Sequence, residues 1–222
     1  YTASIYGARR CALNLATASF AAIALCVPAQ AETVIAALGD SLTQGYGLVH
    51  EDGFVPQLEA WLQMQGADVR IVNAGVSGDT TAGGLSRVDW TLTDDVDVMI
   101  VALGGNDLLR AIPPEASRAN LDGILKAAGA RSVPVLLIGL QALGNYGPEY
   151  KAAFDAMYPE LAEAYGALHV ENFLGALQTE ADQGAALRDF MQSDGIHPNT
   201  AGVAKIVEAI GPEVKALIAQ LN

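Results

Sequence analysis

The chain has 222 residues, 51% of them hydrophobic, with 25 acidic against 12 basic side chains and a formal net charge of −13. That length fits one domain with a buried core. That acidity argues against a nucleic-acid partner, because phosphates are bound by clustered Lys and Arg.

The first stretch has the pattern of a leader. Arg9 and Arg10 supply positive charge, Ala12 to Val27 is mostly apolar and uncharged, and Ala29-Gln30-Ala31 is a small-x-small cleavage signal. This predicts a secretory signal peptide over 1–31, a single domain over 32–222, and an exported protein, periplasmic or secreted. The apolar run is interrupted by Asn14 and Thr17 and falls short of the ~20 residues a membrane span needs, so no stable membrane anchor is expected after processing. Both cysteines, Cys11 and Cys26, lie in this leader. The processed chain therefore has no disulfide, no thiol catalysis and no zinc–cysteine site. The leader carries Arg9 and Arg10 and no acid, so its removal takes the net charge from −13 to −15.

The rest of the chain alternates strand-like and helix-like segments. Strands are predicted at Thr33–Leu38, Asp68–Val72, Asp97–Leu103, Val133–Leu140 and Leu168–Phe173, the last shorter and more polar. Helical spacing marks Phe54–Gln65, which stops at Gly66, then Ser117–Ala128 and Glu149–Tyr165, with a break expected near Pro159. Val203, Ile206, Val207, Ile210, Val214, Leu217 and Ile218 make a final helical stripe, with a break expected at Gly211-Pro212. Buried strands alternating with helices argue for an α/β fold with a parallel sheet.

The strand ends carry the chemistry. The first ends in Gly39-Asp40-Ser41, the second in Asn73-Ala74-Gly75-Val76-Ser77-Gly78-Asp79, and the third in Gly104-Gly105-Asn106-Asp107. In an open parallel sheet, ligands bind at the carboxyl ends of the strands. Asp194-Gly195-Ile196-His197-Pro198 precedes the last helix and can reach the same rim. A serine hydroxyl attacks only if a base takes its proton. Of the three histidines, His50 lies in a loop beside Glu51 and Asp52, and His169 reads as an ordinary strand side chain. His197 has Asp194 three residues earlier to orient its ring. Ser41 reads equally as a helix N-cap, and Asn106 alone reads as a turn residue. As donors to a developing oxyanion, the Ser41 and Gly78 N–H groups and the Asn106 side chain are available. There is no Gly-x-Ser-x-Gly elbow, no phosphate-binding Lys loop, no Gly-x-Gly-x-x-Gly and no His-Glu-x-x-His, and three scattered histidines make poor metal ligands.

Taken together, the four stretches resemble the four blocks of the GDSL, or SGNH, hydrolase family. Gly39-Asp40-Ser41-Leu42 resembles the nucleophile block, Gly78 the glycine block, Gly104-Gly105-Asn106-Asp107 the asparagine block, and Asp194-Gly195-Ile196-His197 the Asp-x-x-His block. Asn145-Tyr146-Gly147, Tyr158-Pro159 and Met191-Gln192 resemble the bacterial secreted thioesterase/lysophospholipase and arylesterase branch. The resemblance implies a flavodoxin-like three-layer α/β/α sandwich with strand order 2-1-3-4-5. It implies Ser41, Asp194 and His197 as catalytic residues and Ser41, Gly78 and Asn106 as the oxyanion hole. It implies small-molecule ester or thioester substrates, with no metal and no organic cofactor. A carbohydrate O-deacetylase of the same family fold and a non-catalytic secreted binding module are the competing readings. By position, the acyl pocket is expected near Leu108, Leu109, Ile112 and Gln141 to Tyr146.

Overall fold

Side-chain alternation along the strands explains the layering. In the computed structural model, which describes residues 1–3, 32–178 and 188–221, β1 (Thr33–Gly39) is buried along its whole length. Successive side chains of a strand point to opposite faces. Val34, Ala36 and Leu38 therefore pack into one core, and Ile35 and Ala37 into another. Most of the expected leader, residues 4–31, lies outside the described residues.

The remaining elements follow in chain order: α1 (Ser41–Gln44), α2 (Phe54–Met64), β2 (Val69–Gly75), α3 (Thr81–Thr91), β3 (Val98–Ala102), α4 (Gly105–Leu109), α5 (Pro114–Ala130), β4 (Val135–Ile138), α6 (Pro148–Tyr165), β5 (Leu168–Val170), α7 (Gly175–Gln178) and α8 (Thr200–Ile218). The five strands form one parallel sheet in the order β2-β1-β3-β4-β5. One face is covered by α3, α5 and α6, through Val88, Leu121, Ile124, Phe154 and Leu161. The other is covered by α2 and α8, through Phe54, Leu58, Ile206 and Val214. This is the expected sandwich. The strand order reverses direction at β1, between β2 and β3, so the crevice at the carboxyl ends of β1 and β3 is the topological switch point.

Both expected helix breaks are absent. Helix α6 runs unbroken through Pro159, and α8 through Pro212. A helix-interior proline costs about 3 kcal/mol. Tertiary burial outweighs it here: Phe154, Met157 and Tyr158 before Pro159, and Leu161 and Ala162 after it, all pack into the core. Gly211 is a packing contact rather than a stop, since a Cβ there would lie 2.6 Å from the Trp61 ring. Helix α3 was not foreseen by apolar spacing, because it buries only Thr81, Gly84 and Val88. Strand β5 is three residues long, shorter than its apolar pattern predicts.

Candidate active site

Helix α1 begins where β1 ends, and the turn between them presents Ser41. Asp40 caps α1, its Oδ1 accepting from the Leu42 N–H at 3.0 Å. As the first residue of the helix, Ser41 has an N–H with no intrahelical acceptor. The tight chain path demands glycine on both sides. A Cβ on Gly39 would overlap the Thr43 side chain, and one on Gly75 would overlap the Gln44 backbone.

His197 reaches Ser41 from the loop that precedes α8. Its Nε2 lies 2.9 Å from Ser41 Oγ, and its Nδ1 lies 2.6 Å from Asp194 Oδ2. Asp194 Oδ1 accepts from the N–H groups of Ile196 at 2.9 Å and His197 at 3.0 Å. The His197 ring, with those two backbone donors, holds the Asp194 carboxyl down at about 2. Asp194 is thus an acceptor only, which fixes the proton on Nδ1 and leaves Nε2 free to accept from the serine hydroxyl. The loop is held in place by Gln192. Its N–H donates to His197 O at 2.8 Å, and its Nε2 donates to Tyr46 O at 2.8 Å and Pro198 O at 3.0 Å. The Tyr46 ring leans on the His197 ring, with centroids 4.7 Å apart.

The other two candidate donors sit on neighbouring strand ends. Gly78 has φ +83° in a turn closed by the Asp79 N–H donating to Val76 O at 3.0 Å. Ser77 Oγ donates to Gln44 Oε1 at 2.8 Å, which sets this turn beside α1. Asn106 lies in the first turn of α4, and its Nδ2 lies 3.5 Å from Asp40 Oδ2. Its neighbour Asp107 is fully buried and accepts from Thr81 N–H at 2.8 Å, Thr81 Oγ at 2.6 Å and Ser117 Oγ at 2.8 Å. That network ties α4 to α3 and α5. Gly104, at φ +120°, lets the chain leave β3 over Tyr158, whose hydroxyl donates to Leu103 O at 3.0 Å.

Asp40 is only 2% exposed. Burial pushes its carboxyl up to about 6, against the pull of the Leu42 N–H, His197 and Asn106. Two residues to which sequence spacing assigns no role therefore shape the site, Asp40 and Asp107, both inside quoted motifs. Arg87, in helix α3, donates to Gly39 O, Ala74 O and Asp79 Oδ2 beside them. The other histidines stand apart from this constellation. His50 is exposed in a short 3₁₀ turn, and His169 lies in the edge strand β5. Of the residues expected around an acyl pocket, Leu108 packs against the core, Leu109, Leu143 and Tyr146 are exposed, and Ala142 is buried. Among the described residues, no group of three or more His, Cys, Asp or Glu is placed to hold a metal ion.

A hydroxyl, an imidazole and a carboxylate in this line can perform nucleophilic acyl transfer. Comparison with known proteins points the same way. The model of the GDSL-like lipase/acylhydrolase family matches residues 37–205. The chain is 36% identical to Esterase TesA of Pseudomonas aeruginosa over 205 residues, covering 92% of this chain and 98% of that one. It is 31% identical to Thioesterase 1/protease 1/lysophospholipase L1 of Escherichia coli over 191 residues, 86% of each. Among solved structures, AlinE4, an SGNH-hydrolase family esterase, superposes with a TM-score of 0.68 at 43% identity, covering 83% of this chain and 96% of that one.

Proposed function

The chain belongs to the GDSL-like lipase/acylhydrolase family, and from that premise we propose that it is a serine hydrolase of carboxylic esters that works through an acyl-enzyme on Ser41. The Ser41–His197–Asp194 hydrogen-bond line, at 2.9 and 2.6 Å, carries the reading.

In this mechanism Ser41 Oγ attacks the ester carbonyl carbon while His197 Nε2 takes the hydroxyl proton. Asp194 stabilises the imidazolium that forms. The negative charge moves to the carbonyl oxygen, where the N–H groups of Ser41 and Gly78 and the Asn106 amide receive it. Collapse of the tetrahedral intermediate breaks the bond to the leaving group, and His197 returns its proton to the departing alcohol. Water then adds to the acyl-enzyme with His197 as base, releasing the acid and restoring Ser41. An aryl ester, a lysophospholipid or an acyl thioester fits the same steps, since only the leaving group differs: a phenol, a glycerophosphoryl alcohol or a thiol.

The reading extends to location. Arg9-Arg10, the apolar run that follows and Ala29-Gln30-Ala31 support an exported enzyme cut after Ala31. The N-terminal residue of protein recovered outside the cytoplasm tests this; Glu32 is expected, and an uncut chain refutes it. For the chemistry, Ser41→Ala is expected to abolish hydrolysis of short p-nitrophenyl esters at unchanged melting temperature. Undiminished turnover by that variant would overturn the assignment.

A further inference from the structure

We propose that Arg87 is a positioning residue for the oxyanion site, its guanidinium locking the Gly78 turn to the Ser41 turn. The proposal rests on the reading of the Ser41 and Gly78 N–H groups as oxyanion donors.

The geometry is specific. Arg87 lies in α3 beneath the carboxyl ends of β1 and β2. Its Nη2 donates to Gly39 O at 2.8 Å, its Nη1 to Ala74 O at 2.6 Å, and its Nε to Asp79 Oδ2 at 2.7 Å. Gly39 O belongs to the peptide unit just before the one that carries the Ser41 N–H. Asp79 directly follows Gly78. One planar group thus touches both turns that present backbone donors, and it also bonds Ala74 O at the end of β2. The ion pair is mostly shielded from water, at 23% and 17% side-chain exposure. Room has been made for it, since a Cβ on Gly83 would overlap the Asp79 carboxylate.

The catalytic consequence follows from how an oxyanion hole works. Its donors help only if they are fixed before charge develops. Gly39 O also accepts from the Val76 N–H at 3.0 Å, so the two turns share a carbonyl that Arg87 holds from the side. Without the guanidinium, Gly39 O and Ala74 O each lose a donor, and Asp79 is left as a shielded, unpaired carboxylate. The Gly78 turn then keeps its bonds from Val76 N–H to Gly39 O, from Ser77 to Gln44 and from Arg110 Nη2 to Gly78 O at 2.9 Å, but loses its tie through Asp79 to the ends of β1 and β2, and the direction of its N–H is less firmly set. Lysine cannot replace it, because a single ammonium does not span three acceptors in one plane.

The test compares Arg87→Ala with the wild type on a p-nitrophenyl ester. The expected result is a fall in kcat of about 100-fold with KM within about twofold, the signature of a lost transition-state interaction. Methylguanidinium, added below the concentration that changes the melting temperature, should restore kcat about tenfold, as expected when a donor group is returned to its site, while methylammonium should not. Wild-type kcat in Arg87→Ala, a loss carried by KM, or a loss that tracks the unfolded fraction and is not rescued would overturn the proposal. Should Arg87→Ala fail to fold, Asp79→Asn replaces it. That variant keeps both carbonyl bonds and loosens only the Gly78 side. Its kcat should fall about tenfold at constant KM, as for a weakened charge-assisted bond, and full kcat would overturn the proposal. Ser41→Ala run alongside separates the two levels. If it is active, the reading of the site falls; if it is dead while Arg87→Ala keeps full kcat, only this inference falls.

Discussion

Replacing Asp40 by Asn should make the protein more stable at neutral pH and less active. Asp40 is 2% exposed, and burial raises its carboxyl from 3.8 to about 6. Between these values the folded protein binds this proton more tightly than the unfolded chain does. Stability contributed by this group therefore falls as pH rises through that window and is flat above it. At about 1.4 kcal/mol for each pH unit of difference, the ionised carboxylate costs the fold about 3 kcal/mol. The amide introduced by Asp40→Asn cannot ionise and escapes that cost. Urea unfolding of both proteins from pH 4 to pH 7.5 should show the variant's advantage growing by about 2.4 kcal/mol across the range, the rest of the cost being already present at pH 4. Titrations common to both proteins cancel in the difference. Activity should move the other way. Ionised Asp40 only accepts, so it holds the NH₂ end of Asn106 in place at 3.5 Å. The introduced amide can offer its own NH₂ group, which lets the Asn106 amide turn its oxygen toward the site. Loss of one oxyanion donor lowers kcat about 100-fold. A stability difference independent of pH would refute the burial argument. Activity within threefold of wild type would refute the role of Asp40 in setting Asn106.

Two further outcomes follow from named geometry. Asp194→Asn should cut kcat by about 10³–10⁴-fold, because an amide at the Oδ2 position no longer selects the Nδ1–H tautomer of His197; a loss under tenfold in steady-state kinetics would show another orienting group. Gly104→Ala should lower the melting temperature sharply, since φ +120° disfavours a side chain and the Cβ would overlap the Tyr158 hydroxyl. Pairing it with Tyr158→Phe should recover part of the loss by removing the overlapping oxygen. A Gly104→Ala protein as stable as wild type in thermal unfolding would contradict the packing described.

The sheet was legible because its buried strands are nearly continuous apolar runs. Val98–Ala102 is buried at every position, and its sequence has few other uses. The three residues of the Ser41–His197–Asp194 line were legible because residue chemistry left few alternatives, with no cysteine in residues 32–222 and His197 preceded by Asp194 on a loop that can reach the strand ends. The prolines misled in the opposite sense. Local propensity breaks a helix at Pro159 and Pro212, but both stripes of buried side chains continue past them and the packing prevails. Helix α3 escaped notice because its helical state is set by the Thr80 cap and by polar anchors rather than by an apolar stripe. Thr80 accepts from the Gly83 N–H, Thr81 binds Asp107, and Arg87 binds three acceptors outside the helix, two of them in β1 and β2. Such partners lie as far as 48 residues away in the chain and leave no local trace. The burial of Asp40 and its place as the cap of α1 are likewise tertiary facts; in sequence the cap reads equally well at Ser41.

The most direct test of the central claim is to locate the covalent adduct. The protein is treated with a fluorophosphonate at pH 7.5, digested, and its peptides are mapped by mass spectrometry. One phosphonyl group per chain on Ser41 Oγ, with hydrolysis lost in proportion and labelling absent in Ser41→Ala, is the predicted result. Stoichiometric labelling of another residue with loss of activity, or full hydrolysis by protein that carries the group on Ser41, would contradict it.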